Sequence, residues 1–475
     1  MRYETVIGLE VHVELATKSK IFCGCSTAFG AAPNTQICPV CAGMPGALPR
    51  LNKYAVELAM RAGMMLNCRI APQSAFDKKN YFYPDLPSAY QRTQWYAPIA
   101  TDGYVEIECA CKKQIRIKQI HIEEDAGKLI HDTVEGTSLI DYNRAGVPLI
   151  EIVSHPDLSC GAEVAAYLKT LRTLLRFAAV SDCRMEEGSM RCDVNLSVRP
   201  EGTSALGVRT EIKNMNSISA ILCAIEHERA RQIAALENGE VLLQETRRFD
   251  EQRGVSVAMR GKQTAADYRY FPDPDVKPLV IDAPWQARVR EKLPEMPEQK
   301  KQRYISLGVS VQDAALLCES LPLCTCFEGA LAVCGNAREC ANWLISDCLA
   351  ILNKRHEVAD ELTLDGRALG ELILLVLEGR VGRANAKKVL EEMFLVPVEP
   401  AAYAERMGYL ISRDTKKIAE VIRAALDENP RALADYRAGK EKALMALFGA
   451  CMKQLKGNCD PAQLREMLLA QIDRE

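Results

Sequence analysis

A long apolar run is missing from this 475-residue chain, so no helix is expected to span a membrane. Its first residues, MRYETVIGLEVHVEL, lack a basic leader and set acids inside the apolar stretch. No secretion signal is read there, and a cytoplasmic location is expected. An excess of one charge is missing too: the net charge is −3. No broad basic field announces nucleic acid, and such a partner would need a local basic patch. Walker A, GxGxxG and GxSxG patterns are also absent, so the phosphate loops and nucleophile elbow they build are not expected.

What is present is 48% hydrophobic and 26% charged, the balance of a soluble globular protein. The length suits roughly three domains. Cysteine is abundant, with 19 residues. Without a secretion signal a disulfide framework is not expected, and most cysteines, such as Cys223 and Cys348, read as small core residues. Cys23, Cys25, Cys38 and Cys41 differ, because they form a C-x-C and a C-x2-C pair. Each pair can pinch one ion, and four thiolates point to structural Zn2+ in a ribbon-like insertion at 23–41. Four sulfur ligands leave no open position, so this zinc would not be catalytic. Four reduced thiols in a metal-free loop are the alternative.

The stretch over residues 185–216 organises the chain. Met190, Cys192, Val194, Leu196 and Val198 would share one face of a strand, with Arg191, Asp193, Asn195, Ser197 and Arg199 on the other. Val208, Thr210 and Ile212 then alternate with Arg209, Glu211 and Lys213, and turn formers lie between the runs. A long-looped hairpin follows. Its polar face carries groups that hold a metal ion and phosphate oxygens. A solvated hairpin with cross-strand ion pairs is the plainer alternative.

Three other stretches bear on that choice. Residues 1–15 read as a strand with Glu10, His12 and Glu14 on one face. IRIKQIHIEEDAGK reads as a strand ending in His121, followed by Glu123, Glu124 and Asp125. Two carboxylates about 4 Å apart repel by about 4 kcal/mol at an effective dielectric of 20, which calls for protonation, a cation or a metal. Glu151 stands inside VPLIEIV, where burial is costly without a partner or ligand. A structural histidine and a solvated acidic turn are the bland readings of the first two. Residues 76–87 read as a rigid loop in which Lys78 and Lys79 could meet phosphate. Together these pieces predict a β-rich domain whose polar face gathers Glu10, His12, Glu123 or Glu124, Glu151, Asp193 and Asn195. Such a set suits Mg2+ with ATP phosphates. Carboxylates alone do not separate phosphoryl transfer from hydrolysis.

Helices are expected over 160–180 and 217–238, and a boundary near 283–298, where Pro284, Pro294 and Pro297 fall. Beyond it the apolar spacing is helical. In residues 401–475, Lys416, Lys417, Lys440, Lys442, Lys453 and Lys456 could touch an RNA backbone, although an ordinary solvated surface fits the charge as well.

The runs ETVIGLEVHVEL, FDKKNYFYPDLP, HIEEDAGK, NRAGVPLIEIVSHPD, MEEGSMRCDVN, EIKNMNS, QETRRFD and DYRYFPDPD resemble, in order, the B subunit of the bacterial and archaeal glutamyl/aspartyl-tRNA amidotransferase, the GatB family. The resemblance implies an α+β fold: a cradle-like catalytic domain with packed helices over 1–290, an all-α helical domain over 291–400 and a small all-α YqeY-like tail over 401–475. It implies phosphorylation by ATP of the side-chain carboxyl of Glu-tRNA(Gln) or Asp-tRNA(Asn), then amidation by ammonia from a glutaminase A subunit, with a small C subunit bracing a heterotrimer. Nothing in the chain resembles a glutaminase nucleophile, as a split enzyme requires. By position, Glu10, His12, Glu124 and Glu151 match the family's metal and phosphate cluster, with Glu123 and Asp193 beside them. Arg191, Asn195, Glu211, Lys213, Asn214 and Lys79 fall where ATP or phosphate would bind, and Cys23, Cys25, Cys38 and Cys41 match a zinc set. The helical and tail domains look like the tRNA-binding part. Ser88, Ala145 and His155 depart from the family pattern without touching the acids. Two rivals remain: a zinc-stabilised RNA-binding module without catalysis, which leaves the acids without a purpose, and a free-standing carboxylate–amine ligase, against which the tail argues.

Overall fold

Period-two alternation builds the sheet of the N-terminal part of the chain. The structure is a computed structural model that describes residues 2–130, 137–259, 267–411, 415–438, 440, 442–455 and 459–473. Lys456 lies outside the described residues. The chain divides into two compact units, Met1–Met296 and Pro297–Glu475.

The first unit is built on a nine-stranded sheet. Its strands are β1 (Tyr3–Glu14), β2 (Arg69–Ile70), β3 (Ala100–Glu108), β4 (Lys112–Glu124), β5 (Pro148–Ser154), β6 (Met190–Pro200), β7 (Thr210–Lys213), β8 (Glu245–Asp250) and β9 (Val255–Ala258). They lie in the order β9-β8-β7-β6-β1-β5-β4-β3-β2. Neighbours run antiparallel except β7 and β8, which are parallel. A parallel pair needs a crossover, and the helix α3 (Ile218–Glu237) supplies it. β1 is central because its apolar side is continuous: Ile7, Leu9, Val11 and Val13 are at most 1% exposed. Helices α1 (Lys53–Met65), α2 (Gly161–Phe177) and α3 pack against β4, β3 and β6 respectively. The Asn52 side chain caps α1 by accepting from Tyr54 N and Ala55 N.

Two local expectations change. The segment over residues 76–87 is not all loop: Asp77–Asn80 is a strand between Tyr90–Thr93 and Phe271–Pro272. Its polar residues have little strand preference of their own, and pairing with distant segments decides. β4 also continues past His121 to Glu124. Cys348 is fully buried, whereas Cys223 is exposed because apolar sequence neighbours on a helix point to different sides.

The second unit is helical. Within it Ile418, Ile422, Leu447, Leu464 and Leu468 are at most 1% exposed and belong to one apolar cluster. The cluster is made by helices Thr415–Glu428, Lys442–Gln454 and Pro461–Ile472. The chain is α+β. No single helix among the described residues is long and apolar enough to cross a membrane.

Candidate active site on the central sheet

Strand register assembles the site. Glu10 pairs with Asp193, and His12 with Arg191, across β1 and β6. His12 also pairs with Glu151 on β5, which pairs in turn with His121 on β4. Asn195 pairs with Glu211 on β7. Directly opposed residues point to the same face. Five adjacent strands therefore line up acids, imidazoles and amides on the face opposite Leu9 and Val11.

Two groups of ligand atoms lie along this row. In the first, one ligand atom each of His12, Glu123 and Glu151 fall within 4.8 Å of one another. His121 Nε2 lies 2.8 Å from Glu151 Oε2 and 3.0 Å from Glu123 Oε1. Thr93 Oγ1 donates to Glu123 Oε1 at 2.7 Å, and Gln91 Nε2 donates to its Oε2 at 3.1 Å. Burial opposes charge on His121, but the Glu151 and Glu123 carboxylates win and push it up to about 10. Burial likewise opposes ionisation of Glu151, yet His121 and His12 hold it well below the carboxylate range. Glu123 is lowered in the same way by His121. His12 is raised against burial, chiefly by Glu151.

The second group joins Glu10, Asp193 and Glu211, again within 4.8 Å. Lys213 Nζ donates to Asp193 Oδ2 at 2.6 Å and stands 2.9 Å from Glu211 Oε1. Asn195 Nδ2 donates to Glu10 Oε1 at 2.9 Å, and Thr246 Oγ1 to Glu211 Oε2 at 2.8 Å. Burial and the nearby Glu151 charge raise Glu10. Lys213 is raised against burial by Asp193 and Glu211.

Four residues chosen from sequence make their direct contacts outside these two groups. Glu124, one position past Glu123 on a regular strand, takes the opposite side. Its Oε1 accepts from Arg92 N at 2.9 Å, and Arg92 Nη1 lies 3.6 Å from the same oxygen. Arg191 turns to Asp125, with Nη2 donating to Oδ1 at 3.0 Å. Asn214 is left-handed, φ +69°, and its Nδ2 donates to Phe249 O at 3.4 Å. Lys79 Nζ lies over the Tyr268 and Tyr81 rings at 5.1 and 5.6 Å. His121 joins the site without having been chosen. Its parity with Glu123 is the sequence signal for it, and a strand ending at His121 conceals that parity, whereas the strand runs on to Glu124. Glu14 was seen on the polar face but not chosen; burial and the Asp125 charge raise it to about 8. A cavity of about 560 Å³ lies apart from all these groups, lined by residues around Tyr3 and Arg199.

The cysteines converge. One sulfur from each of Cys23, Cys25, Cys38 and Cys41 lies within 4.8 Å of the others. Cys41 Sγ is 3.9 Å from both Cys25 Sγ and Cys38 Sγ. Tetrahedral zinc with Zn–S bonds of about 2.3 Å sets its sulfurs about 3.8 Å apart, so the set fits that ion. A hydrogen bond from Cys23, aided by Lys20, lowers Cys41 to about 4.

Comparison with known proteins gives consistent matches. Residues 5–287 match the family described as GatB/GatE catalytic domain, and residues 325–472 match the family described as GatB domain. The B subunit of an aspartyl/glutamyl-tRNA(Asn/Gln) amidotransferase from Agathobacter rectalis is 50% identical over 469 residues, 98% of this chain and 99% of that one. The protein of the same name from Caldicellulosiruptor bescii is 47% identical over 479 residues, covering 100% of both. That from Thermodesulfovibrio yellowstonii is 47% identical over 470 residues, 98% of this chain and 99% of that one.

Proposed function

This chain belongs to the GatB/GatE family, and from that membership we propose how its sheet face serves a tRNA amidotransferase. It has the role of the B subunit of an aspartyl/glutamyl-tRNA(Asn/Gln) amidotransferase, a glutamine-dependent ligase that uses ATP. The side-chain carboxylate of Glu-tRNA(Gln) or Asp-tRNA(Asn) attacks the γ-phosphorus of ATP and ADP leaves. Ammonia then attacks the acyl carbon, and phosphate leaves with one of the original carboxylate oxygens. A carboxylate is a poor electrophile, and phosphorylation corrects that; the protein's work is positioning and neutralising charge.

The observation that carries this reading is the single row of groups on one face. His12, Glu123 and Glu151 would hold Mg2+: two carboxylates and an imidazole, with three potential ligand atoms together, suit a divalent ion. When bound, the ion would neutralise phosphate oxygens. The second group already contains a cation, because Lys213 bridges Asp193 and Glu211. Lys213 would serve there as an ammonium for phosphate oxygens, with Asn195 fixing Glu10. Arg191, which feels the Asp193 charge, and Lys79, whose charge reaches Glu123, would add positive charge beside the row. Glu124 would support the strand Tyr90–Thr93 through Arg92 rather than the metal.

Partners follow from the same reading: a glutaminase A subunit, a small C subunit and misacylated tRNA in the cytoplasm. We assign catalysis to 1–290, with a zinc-bearing insertion at 23–41. tRNA binding falls to the helical part at 291–400 and the tail at 401–475. The separate apolar cluster within 418–472 supports the tail as a unit. The test is made on this chain co-expressed with its A and C partners, supplied with ATP, Mg2+ and ammonium. Conversion of Glu-tRNA(Gln) and Asp-tRNA(Asn) is followed separately. Amidation of either, lost in Glu151→Gln, is expected; amidation of neither despite tRNA binding overturns the reading.

A further inference from the structure

Beside the acid row lies a tray of aromatic rings, two exposed and two half-buried, that the chemistry above does not use. Trp95 and Tyr270 stack, with centroids 4.7 Å apart and planes 10° apart. Tyr96 and Tyr268 meet Tyr270 edge-on at 6.5 and 5.9 Å. Trp95 is 50% exposed and Tyr96 is 65% exposed. Large rings grouped at the surface mark a place that something else covers.

The tray is built, not loose. Tyr96 N donates to Asp77 Oδ2 at 3.0 Å. Asn80 N donates to Tyr268 O at 2.9 Å, and Asn80 Nδ2 donates to Arg269 O at 2.8 Å. Arg269 itself is left-handed at φ +46°, a conformation that a non-glycine residue keeps only when its surroundings impose it. The strand Asp77–Asn80 thus staples the 268–272 segment in place.

The tray is also continuous with the acids. Tyr81 meets Tyr268 at 5.8 Å, and its hydroxyl lies 3.5 Å from Gln91 Oε1. Gln91 in turn donates to Glu123. After burial, the Glu123 charge is the next cause that raises Tyr270. Lys79 stands over Tyr81 and Tyr268 and puts a positive charge between rings and carboxylates.

We propose that this tray is the stacking platform for the unpaired 3′-terminal adenosine of the aminoacyl-tRNA, so that the attached amino acid reaches the acid row; the inference rests on the amidotransferase reading. Single strands are held by bases stacked on aromatic rings, with cations beside the backbone. The free nucleotide fits the tray less well, because small ligands bury most of their surface in concave pockets, whereas Trp95 and Tyr96 lie open. Trp95 offers the base its outer face, and Lys79 meets a neighbouring phosphate.

The test uses the whole complex with its A and C subunits. Trp95→Ala is expected to raise KM for the misacylated tRNA about tenfold, the loss of one base stack. KM for ATP stays within about twofold, and Trp95→Phe recovers most of the loss because a ring returns. The chain has three tryptophans, Trp95, Trp285 and Trp343, so the trinucleotide CCA should quench a fraction of the emission that Trp95→Phe removes. Tyr96→Ala, at a more exposed position, replaces Trp95→Ala if that variant does not fold. A rise in KM for ATP alone, or unchanged KM values and no quenching, overturns the proposal. If the wild-type complex amidates no tRNA, the functional reading fails, while CCA quenching still reports on the tray by itself.

Discussion

His121 and Glu151 face each other across β4 and β5 with Nε2 2.8 Å from Oε2. His121 is 3% exposed and also reaches Glu123 at 3.0 Å, so one buried imidazole stands between two carboxylates. It is the cation shared by both acids, with His12 adding its charge at Glu151 and Lys79 at Glu123. Removing it by His121→Gln strips both acids of their nearest cation, and breaking such a buried group costs up to about 3–5 kcal/mol. Urea unfolding should show that loss. Mg2+ should raise the melting temperature of the variant more than that of the wild type, because the ion takes over the neutralisation. Unchanged stability would remove His121 from this role.

Glu123 and Glu124 should behave differently although they are neighbours. Glu123→Gln removes a charge from the His12–Glu151 group and should lower kcat/KM for amidation about 100-fold or more. Glu124→Gln disturbs the contact with Arg92, which also donates to Asp273 at 2.6 Å. It should lower the melting temperature while leaving kcat/KM within about tenfold. Equal losses in the two variants would return Glu124 to the catalytic row.

Much of this geometry was legible as alternation. Glu10 and His12 on β1, and Asp193 and Asn195 on β6, share a face because a strand repeats every two residues. Glu151 was legible as a carboxylate out of place in an apolar strand. What alternation does not give is where a strand ends and what lies opposite. β4 runs three residues beyond His121, and that extension separates Glu123 from Glu124. Arg191 shares its face with Asp193 but swings to Asp125, a choice made by tertiary neighbours. The strand at Asp77–Asn80 exists only through pairing with Tyr90–Thr93 and Phe271–Pro272, which no local pattern announces.

The cysteine set should bind one zinc per chain. Metal analysis of the purified complex is expected to find it, and Cys38→Ser should lose it. Chelation should lower the melting temperature while amidation at moderate temperature persists, because the four sulfurs offer no open position for chemistry. A folded, active chain purified under non-chelating conditions and free of zinc would show that the thiols suffice alone.

Helix α3 packs against β6 and reaches β7 through Gln232. Glu228 is fully buried and accepts from Arg231 at 2.7 and 2.9 Å, from Gln232 at 2.9 Å and from Ser256 at 3.1 Å. Gln232, equally buried, donates to Thr210 Oγ1 at 3.0 Å and accepts from Val198 N at 3.1 Å, which bridges β6 and β7 where their ladder has stopped. Burial opposes the Glu228 charge, but Arg231 and Gln232 outweigh it and hold the carboxyl below its ordinary 4.5. A group lowered on folding contributes stability above its unfolded pKa and loses it as pH falls through the folded one. Glu228→Gln should therefore be less stable than wild type at pH 7 by about 2 kcal/mol, the worth of a charge-assisted bond. That gap should begin to shrink as pH falls below the ordinary 4.5 and close only as pH passes through the lowered folded-state value, where the wild-type carboxyl takes up its proton. Urea midpoints from about pH 7 to about pH 3 measure it. A gap that stays constant across the range would mean that Glu228 acts by packing and not by charge.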